Sequence, residues 1–467
     1  MMKQLTIVAA SVLLSACAVG PQYEQPQAAP IALASPQQTA FSRTAALPAP
    51  AAWWRFFDDA RLVALVDAAL LHNHDIRQAQ ANLLASRARF DERDLDRYPT
   101  VSGSAGYQRG SQQQPGPDGA ARRTLAQSYR LGFDAQWELD VFGRLQRLAA
   151  SEQARSDAAQ AELQQLRLTI AADVARHYYE RLGLLRKLDI AAAQVHSWRD
   201  TVAVIRAQVQ LGTGLQEDLA SAQATLLRSE AALPPLTAAL QQASYRLDVL
   251  SGQRPGQPHP EMEAAAPAPL AKQLPLGDVN QLILARPDVR RAERLLAAST
   301  EDVGAATADL YPRFSLGGFV GFFALRGGDI GSASRAFDLA PNASWPAFPL
   351  ASSRARLRGA EAHTQGALAR YEQALLLAQE DVENAVTRLV QDQSRTASLI
   401  QSASHAASAI DIAGKRYQAG AGSYLALLEN QRTLFQIRQE VADAETASYV
   451  NVIALYKALA WGATTSQ

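Results

Sequence analysis

The chain has 467 residues with 45 basic and 45 acidic side chains, so its formal net charge is zero. Without a basic excess, the composition gives no indication of nucleic-acid binding. Cys17 is the single cysteine, which excludes an intrachain disulfide and a cysteine-based metal site. The seven histidines form no ligand cluster in the sequence. We expect no metal, no cofactor and no catalytic residue.

Residues 1–16 predict a secretory signal peptide. The apolar run Leu5–Leu14 is too short to span a bilayer. Leu14–Cys17 resembles the lipobox of bacterial lipoproteins, in which a peptidase cuts before the cysteine and the cysteine is acylated. Ala18, where lipoproteins of the inner membrane often carry Asp, favours the outer membrane by the same resemblance. We expect lipidation at Cys17; the alternative is a chance cysteine after an ordinary signal peptide.

The rest of the chain is a duplication. Asp75–Ala79 is similar to Asp288–Ala292, an offset of 288 − 75 = 213 residues. Further along, Gly212 matches Gly420, an offset of 420 − 212 = 208 residues. The Gly- and Pro-rich stretch Gln112–Arg123, predicted to be a loop, accommodates the five extra residues. Two copies in the same order predict a tandem structural repeat.

The domain limits follow from this repeat. An extended segment over residues 17–55 leads from the lipid anchor. The first repeat occupies residues 56–254 and the second repeat residues 276–461. A Pro-rich linker over residues 255–275 joins them, and residues 462–467 form a short tail.

Both copies predict the same order of elements. A first helix ends at Tyr-Pro, because proline disfavours helix for the residue before it. Two β segments, a very long helix, a Gly-x-Gly turn and a return helix follow. The predicted helices are Arg61–Arg97, Arg144–Leu211 and Glu217–Leu250 in the first copy, and Val279–Asp309, Ser352–Gln418 and Tyr424–Leu459 in the second.

The long helices have a coiled-coil pattern. Apolar residues between Leu163 and Val209 recur at steps of three and four, a mean step close to 3.5. At 1.5 Å per residue, the helix from Arg144 to Leu211 would be roughly 100 Å long. A globular core does not need helices of this length.

Four predicted strands dictate assembly. No apolar run after the signal peptide is long enough for a membrane helix, so we expect strands to be the membrane-spanning elements. Four strands cannot close a barrel, which needs at least about eight, and an open edge cannot face lipid. Two chains would supply about eight strands and three chains about twelve, with room for water. The predicted strands are Val101–Arg109, Leu125–Trp137, Phe314–Leu325 and Ala336–Phe348.

Several motifs together resemble the outer-membrane factor family of TolC and OprM, in its lipoprotein branch serving resistance-nodulation-division efflux systems. They are Cys17–Pro21, Trp137–Leu145, Arg286–Glu293, Asp309–Phe314 and Tyr417–Gly420. The resemblance implies an α+β, mostly α, fold. In it, tandem α-hairpins form a periplasmic α-barrel and a trimer closes a 12-stranded transmembrane β-barrel.

The same resemblance implies the function and the partners. The chain would be the outer-membrane channel of a tripartite pump that exports small molecules such as drugs, and not an enzyme. Its partners would be two copies of itself, a periplasmic adaptor, an inner-membrane resistance-nodulation-division pump and outer-membrane lipid, with no nucleic acid. The alternatives are a channel for type I protein secretion and a structural coiled-coil lipoprotein without a pore.

The family's closed tip maps onto the second repeat. By this resemblance the channel gate is formed by Arg416, Tyr417, Leu425 and Glu429. Rings of acidic or apolar side chains restrict pores. The alternative is that Tyr417 packs in the coiled coil and Glu429 is a solvated charge.

The turns at the hairpin tips are the expected adaptor-docking sites. Their glycines are Gly212 and Gly214 in the first copy and Gly420 and Gly422 in the second. The first copy has Val209 and Ser221 where the second has Tyr417 and Glu429. This asymmetry predicts one gating copy and one structural copy.

Overall fold

The computed structural model describes residues 18–27, 41–42, 52–115, 117, 119–256, 274–275, 279–345, 348 and 350–461. The predicted signal peptide, Cys17, most of the linker 255–275 and the tail 462–467 lie outside these residues. The chain divides into two compact units. One comprises Met1–Gln27, Ala81–Gln160 and Arg291–Glu372, and the other Ala28–Gln80, Ala161–Arg290 and Gln373–Gln467. The domain limits given by the repeat stay a prediction.

The protein is mostly helical, as predicted. In the described residues no helix combines the length and the apolar character needed to cross a membrane. The first copy contains α1 (Ala60–His72), α2 (His74–Leu95), α3 (Arg144–Gln210), α4 (Gln216–Ala231) and α5 (Leu233–Leu250). The second contains α6 (Val279–Ala285), α7 (Pro287–Ala308), α8 (Leu350–Gln418) and α9 (Tyr424–Ala458).

The first helix of each copy was predicted to be continuous, and this is wrong. In the first copy Asn73, with an extended backbone (φ −61°, ψ 132°), separates α1 from α2. Its side-chain Oδ1 accepts hydrogen bonds from the N–H groups of Asp75 (2.9 Å) and Ile76 (3.2 Å), which have no partner within α2. Its Nδ2 donates to the carbonyl oxygen of Leu250 at 2.9 Å. The break is therefore capped and tied to the end of the return helix.

The break in the second copy is equivalent. Arg286 lies 213 residues after Asn73 and separates α6 from α7, because Pro287 has no N–H to continue a helix. Its Nη1 donates to the carbonyl oxygen of Ala458 at 2.8 Å. Ala458 lies 208 residues after Leu250. In both copies, the residue at the break of the first helix therefore donates a hydrogen bond to a carbonyl oxygen at the end of the return helix.

Arg286 is 5% exposed and makes further bonds that Asn73 does not. Its guanidinium donates to Asp288 at 3.0 and 2.7 Å, to Asp381 at 2.9 Å and to the Ala378 carbonyl oxygen at 3.3 Å. Burial alone would lower the pKa of Arg286, but the hydrogen bonds that it donates to the two carboxylates, together with their negative charge, raise it above its ordinary value. The Arg-Pro-Asp motif thus places a buried guanidinium between two partly exposed carboxylates.

The first return helix is also interrupted, contrary to the prediction. Ala232 separates α4 from α5, and Pro234 and Pro235 lie in the first turn of α5. Neither proline can donate a backbone hydrogen bond. The second return helix has no proline and is continuous from Tyr424 to Ala458.

Four antiparallel strands form one sheet and neighbour one another in chain order. They are β2 (Thr100–Pro115), β3 (Ala121–Leu139), β5 (Arg313–Ala324) and β6 (Arg335–Ser344). β1 (Phe41–Ser42) and β4 (Leu274–Pro275) form a separate parallel pair. The predicted loop Gln112–Arg123 is mostly strand, since pairing continues to Pro115 opposite Ala121. Proline is tolerated there because β2 is an edge strand.

The first described residues pack beside the base of this sheet. The Val19 N–H donates to the Phe142 carbonyl oxygen at 3.2 Å. A side chain at Gly143 would come within 3.0 Å of the Cβ of Ala18. The Tyr23 hydroxyl donates to the Glu293 carboxylate. The segment that follows Cys17 is therefore held where β3 leads into α3.

Candidate functional site

The four-stranded sheet has two chemically different faces. On one face, here the apolar face, large hydrophobic side chains are exposed in all four strands. The register places them together. They are Val101, Tyr107, Leu125, Leu131, Phe133, Val320, Phe337 and Leu339. An exposed apolar surface of this extent marks a contact with lipid or protein.

The opposite, polar face carries a hydrogen-bonded cluster. Arg130 forms an ion pair with Asp134 at 2.5 Å. Asp134 also accepts a hydrogen bond from the Ser104 hydroxyl at 2.5 Å. Apolar and polar side chains alternate in β2, β3 and β6, as a barrel with a lipid side and a water side requires. On β5, Phe319 and Phe323 lie on the polar face by register.

One aromatic side chain lies on the polar face but is buried. Phe319 is 9% exposed because its ring lies over the paired glycines Gly132 and Gly321. A Cβ at either glycine would come within 2.7 or 2.9 Å of the ring. The Arg130 guanidinium lies 4.0 Å from the ring centroid on the exposed side. The ring is therefore held flat against the sheet.

Two tryptophans stand at equivalent positions near the base of the sheet. The Trp137 indole N–H donates to the Arg97 carbonyl oxygen at 2.9 Å. The Trp345 indole N–H donates to the Leu310 carbonyl oxygen at 3.0 Å. Aromatic side chains of this kind flank the apolar band of membrane barrels.

The tips of the two hairpins have the same backbone geometry. Gly212 and Gly420 adopt positive φ angles of 75° and 70°, which glycine adopts without steric cost. The N–H group of each glycine donates to the carbonyl oxygen three residues earlier in the chain. The N–H group of the following residue donates to the carbonyl oxygen five residues before it, a pattern that ends helices. A side chain at Gly214 or Gly422 would come within 3.0 or 3.2 Å of the preceding helix. Hence both turns need Gly-x-Gly.

The predicted gate residues lie around the second tip. Tyr417 is half-buried, and its ring centroid lies 5.1 Å from that of Tyr424. Leu425 is 75% exposed in the first turn of α9. Glu429 follows one turn later, also exposed, so both side chains lie on the same face of the helix. Arg416 is exposed and its guanidinium lies 3.5 Å from the Ala421 carbonyl oxygen.

Two residues at this tip were missed by the sequence analysis. Arg432 donates to the Glu429 carboxylate at 2.8 Å, so the predicted acidic side chain has a cationic partner. The three-residue spacing on a helix could have indicated this pair. The Tyr424 hydroxyl donates to Thr201 at 3.3 Å, which links the second hairpin to α3. No local sequence signal indicates that contact.

Comparison with known proteins gives a consistent match over nearly the whole chain. Residues 65–253 and 279–460, one segment in each repeat, match the sequence profile of the outer membrane efflux protein family. The chain belongs to this family. It is an outer-membrane efflux channel, so the predicted family, fold class, function and outer-membrane location are confirmed. The family is one of transport proteins, whose members form trimers and work with efflux pumps.

Individual relatives align from end to end. The chain is 30% identical to the outer membrane protein OprJ of Pseudomonas aeruginosa, covering 96% of this chain and 94% of OprJ. It is 29% identical to the solvent efflux pump outer membrane protein SrpC of Pseudomonas putida, covering 98% of each. The structure of the outer-membrane channel OprN superposes with a TM-score of 0.90 at 39% identity. The superposition covers 96% of this chain and 100% of OprN.

Proposed function

We propose that three copies of this chain close a 12-stranded barrel in the outer membrane and form the exit duct of a tripartite efflux pump. The observation that carries this proposal is the four-stranded sheet with an exposed apolar face. In the described sheet, β2 and β6 are edge strands. A lipid-facing edge would leave backbone N–H and C=O groups without partners. Pairing β6 of one copy with β2 of the next satisfies both edges.

The assembly is tested with the purified protein. We expect a trimer that resists detergent and dissociates on heating, and that conducts ions in planar bilayers. The mass of the detergent-solubilised protein is measured by light scattering with the detergent contribution removed. A stable monomer without conductance would contradict the proposal.

The pump would be completed by a periplasmic adaptor and an inner-membrane resistance-nodulation-division pump. The two Gly-x-Gly turns support adaptor docking because, in the described residues, nothing lies within 4 Å of a Cβ built on Gly212 or Gly420. Glutamate at both exposed turn positions, Thr213 and Ala421, should prevent co-purification with the adaptor while conductance persists. Retained co-purification would place docking elsewhere.

The gate proposal rests on the exposed stripe of Leu425 and Glu429 beside Tyr417. Three copies of this stripe would give an apolar ring and an acidic ring at the tip. Glu429→Ala combined with Tyr417→Phe should raise single-channel conductance by roughly twofold or more, because the acidic ring and the hydroxyl of the neighbouring Tyr417 are both removed. Ser221→Ala, at the equivalent of Glu429 in the first copy, is the matched control and should have no effect. Unchanged conductance in the double variant removes these residues from the gate.

Lipidation of Cys17 is supported by the position of the residue that follows it. Ala18 lies against Gly143 at the base of the sheet, so an acyl chain on residue 17 would begin near the proposed membrane boundary. We expect the mature chain to begin at an acylated Cys17, measured by mass spectrometry, and Cys17→Ser to lack this mass increment. An unmodified amino terminus in the wild-type protein would refute this part of the proposal.

We propose small molecules such as drugs as the exported class. Deletion of the gene should sensitise cells to some of them, and a panel of drugs, solvents and metal salts identifies which. Complementation with the Thr213 and Ala421 double variant separates pump assembly from channel formation. Unchanged sensitivity to the whole panel, together with loss of a secreted protein, would instead support type I secretion.

A further inference from the structure

A groove of about 350 Å³ opens on the apolar face beside the connection between β5 and β6. This volume lies within the ~300–1,000 Å³ of small-molecule sites. Its floor comes from β2, β3 and β5, and one wall is Ile330 from the connection between β5 and β6. The connection overhangs the sheet, since a side chain at Gly327 would come within 3.3 Å of the Tyr129 ring. The principal lining side chains are Tyr107, Tyr129, Leu131, Phe322 and Ile330.

Arginine side chains border the groove on the side away from the base of the sheet. On β2 Arg109 follows Tyr107 by two residues and therefore lies on the same face. On β6 Arg335 is paired directly with Phe322 of the groove. Arg326 follows the end of β5 by two residues, with an extended backbone (φ −136°, ψ 143°).

These three arginines are exposed. In the part of the chain that the structure describes, no carboxylate forms an ion pair with any of them. The apolar groove is thus bordered by unpaired guanidinium groups from β2, from β6 and from the connection between β5 and β6. Unpaired arginines around an apolar groove are complementary to a ligand with an anionic head and an apolar tail.

The position of the groove selects the ligand. At the base of the sheet, β3 and β6 continue into the long helices α3 and α8. The groove lies beside the opposite ends of β5 and β6. In the barrel proposed above, on which this inference rests, that end is the outer leaflet of the membrane. Guanidinium groups bind phosphate through paired hydrogen bonds, and a hydrocarbon chain matches the aromatic and aliphatic lining.

We propose that this groove binds one acyl chain of a phosphorylated, multiply acylated lipid of the outer leaflet, whose phosphates contact Arg109, Arg326 and Arg335. Each copy of the chain holds one such site. The lipid fills the space under Ile330 and neutralises the arginines. The bound lipid therefore fixes the depth of the barrel in the membrane at the level of the connection between β5 and β6.

The test is lipid binding to the intact trimer in detergent, measured by native mass spectrometry. Three lipids are compared: bisphosphorylated hexa-acylated lipid A, the same lipid after phosphatase treatment, and phosphatidylcholine. We expect the phosphorylated lipid to bind at least tenfold more tightly than either of the others, from roughly fivefold per arginine near an anionic surface. Equal binding of the dephosphorylated lipid would overturn the proposal without any variant.

Variants then locate the site. Replacing Arg109, Arg326 and Arg335 together with Gln should abolish the preference for the phosphorylated lipid. Arg122→Gln, which removes a charge at the same end but on the polar face by register, is the matched control and should retain it. Ile330→Asp should weaken binding of both acylated forms. Competition by millimolar inorganic phosphate alone, or a preference that survives the triple variant, would refute the site.

The outcome is separable from that of the proposed function. Conductance of the wild-type trimer is measured in bilayers of phosphatidylcholine only. A conducting trimer that shows no preference for phosphorylated lipid removes this site and leaves the channel. Absence of a membrane-inserted trimer removes both.

Discussion

The two hairpin tips share one backbone and differ in packing. The first tip encloses a buried apolar cluster of Val202, Ile205, Leu219 and Ala222. The second tip has, at the positions 208 residues later, the half-buried set Ile410, Ala413, Leu427 and Asn430. The positions that form the cluster in the first hairpin are thus only half-buried in the second, where Leu428 is buried instead. The second tip carries the proposed gate, which agrees with mobile elements having fewer buried apolar contacts.

At the opposite end of the repeats the two copies have stayed alike. Asn73 and Arg286 break the first helix of each copy, and each donates to the carbonyl at the end of its own return helix. This geometry survived although the side chain changed from an amide to a guanidinium. The copies therefore differ in the packing of their tips and keep equivalent hydrogen bonds at the breaks of their first helices.

Removing Arg286 should have the largest effect on this comparison. Arg286→Ala leaves the carboxylates of Asp288 and Asp381 and two carbonyl groups without their partner. We expect a loss of roughly 2–3 kcal/mol in the free energy of unfolding, the value for hydrogen bonds to a charged group, because the side chains of Asp288 and Asp381 are 34% and 58% exposed and water partly replaces the lost donor. Asn73→Ala, the matched variant in the first copy, should cost about 1–2 kcal/mol, since it loses a cap and one neutral hydrogen bond. Thermal unfolding followed by circular dichroism measures both, and a larger cost for Asn73→Ala would contradict the assigned roles.

Truncation of matched leucines compares the packing of the tips directly. Leu219→Ala removes a buried side chain from the first tip and should lower local stability by about 2–3 kcal/mol. Leu427→Ala, its equivalent in the second tip, should cost about 1 kcal/mol because the side chain is only half-buried. Amide hydrogen exchange in α4 and in the first turns of α9 reports the two values. Equal costs would show that the tips are equally packed.

The cation beside the proposed acidic ring gives a smaller effect. Arg432→Ala frees the Glu429 carboxylate from its 2.8 Å ion pair and should raise the ratio of cation to anion permeability by about twofold. The first copy has Ala224 at the equivalent position, so the control is taken from another ion pair of that copy. Arg199→Ala frees Glu230 from a 2.8 Å ion pair away from the proposed ring and should leave the ratio unchanged.

Reversal potentials in a salt gradient measure this permeability ratio for both variants. Each variant removes one exposed arginine from an ion pair, so the two differ only in where the freed carboxylate lies. A change of the same size in the control would assign selectivity to neither ion pair.

The hydrogen bond between Tyr424 and Thr201 should give the smallest effect. Tyr424→Phe removes the 3.3 Å contact with Thr201 and should cost about 0.5–1 kcal/mol. We expect slightly more frequent channel opening in bilayer recordings, because the contact nearest the second tip is lost while the Ser197–Gln431 hydrogen bond of 3.2 Å, two turns along α9, remains. Thr201→Val should reproduce the effect. Opposite effects of the two variants would show that this hydrogen bond does not hold the hairpin.

Much of the fold was predictable because both copies show the same sequence signals in the same order. The Gly-x-Gly turns and the coiled-coil period gave the long helices to within two residues at each end. The breaks at Asn73 and Arg286 were not predicted, although Pro287 offered a signal. At Asn73 the deciding partner is a carbonyl group 177 residues away, which no local pattern contains.

The functional site was likewise predicted only in part. The predicted strand Leu125–Trp137 lies within β3 (Ala121–Leu139), and the division of the sheet into two faces came only with the register. The Gln112–Arg123 stretch looked like a loop because glycine, proline and glutamine are poor strand formers. Pairing across the hairpin overrode that preference as far as Pro115. The link between Tyr424 and Thr201 depends on helix packing, and the sequence carries no record of it.

Gly132 and Gly321 allow the two strands beneath Phe319 to pair closely. A Cβ at Gly132 would collide with the Val320 carbonyl oxygen, and one at Gly321 with the Leu131 carbonyl oxygen, both nearer than the Phe319 ring. Alanine at either position would therefore push β3 and β5 apart as well as displace the ring. Two missing side chains thus keep this part of the sheet paired and its polar face flat.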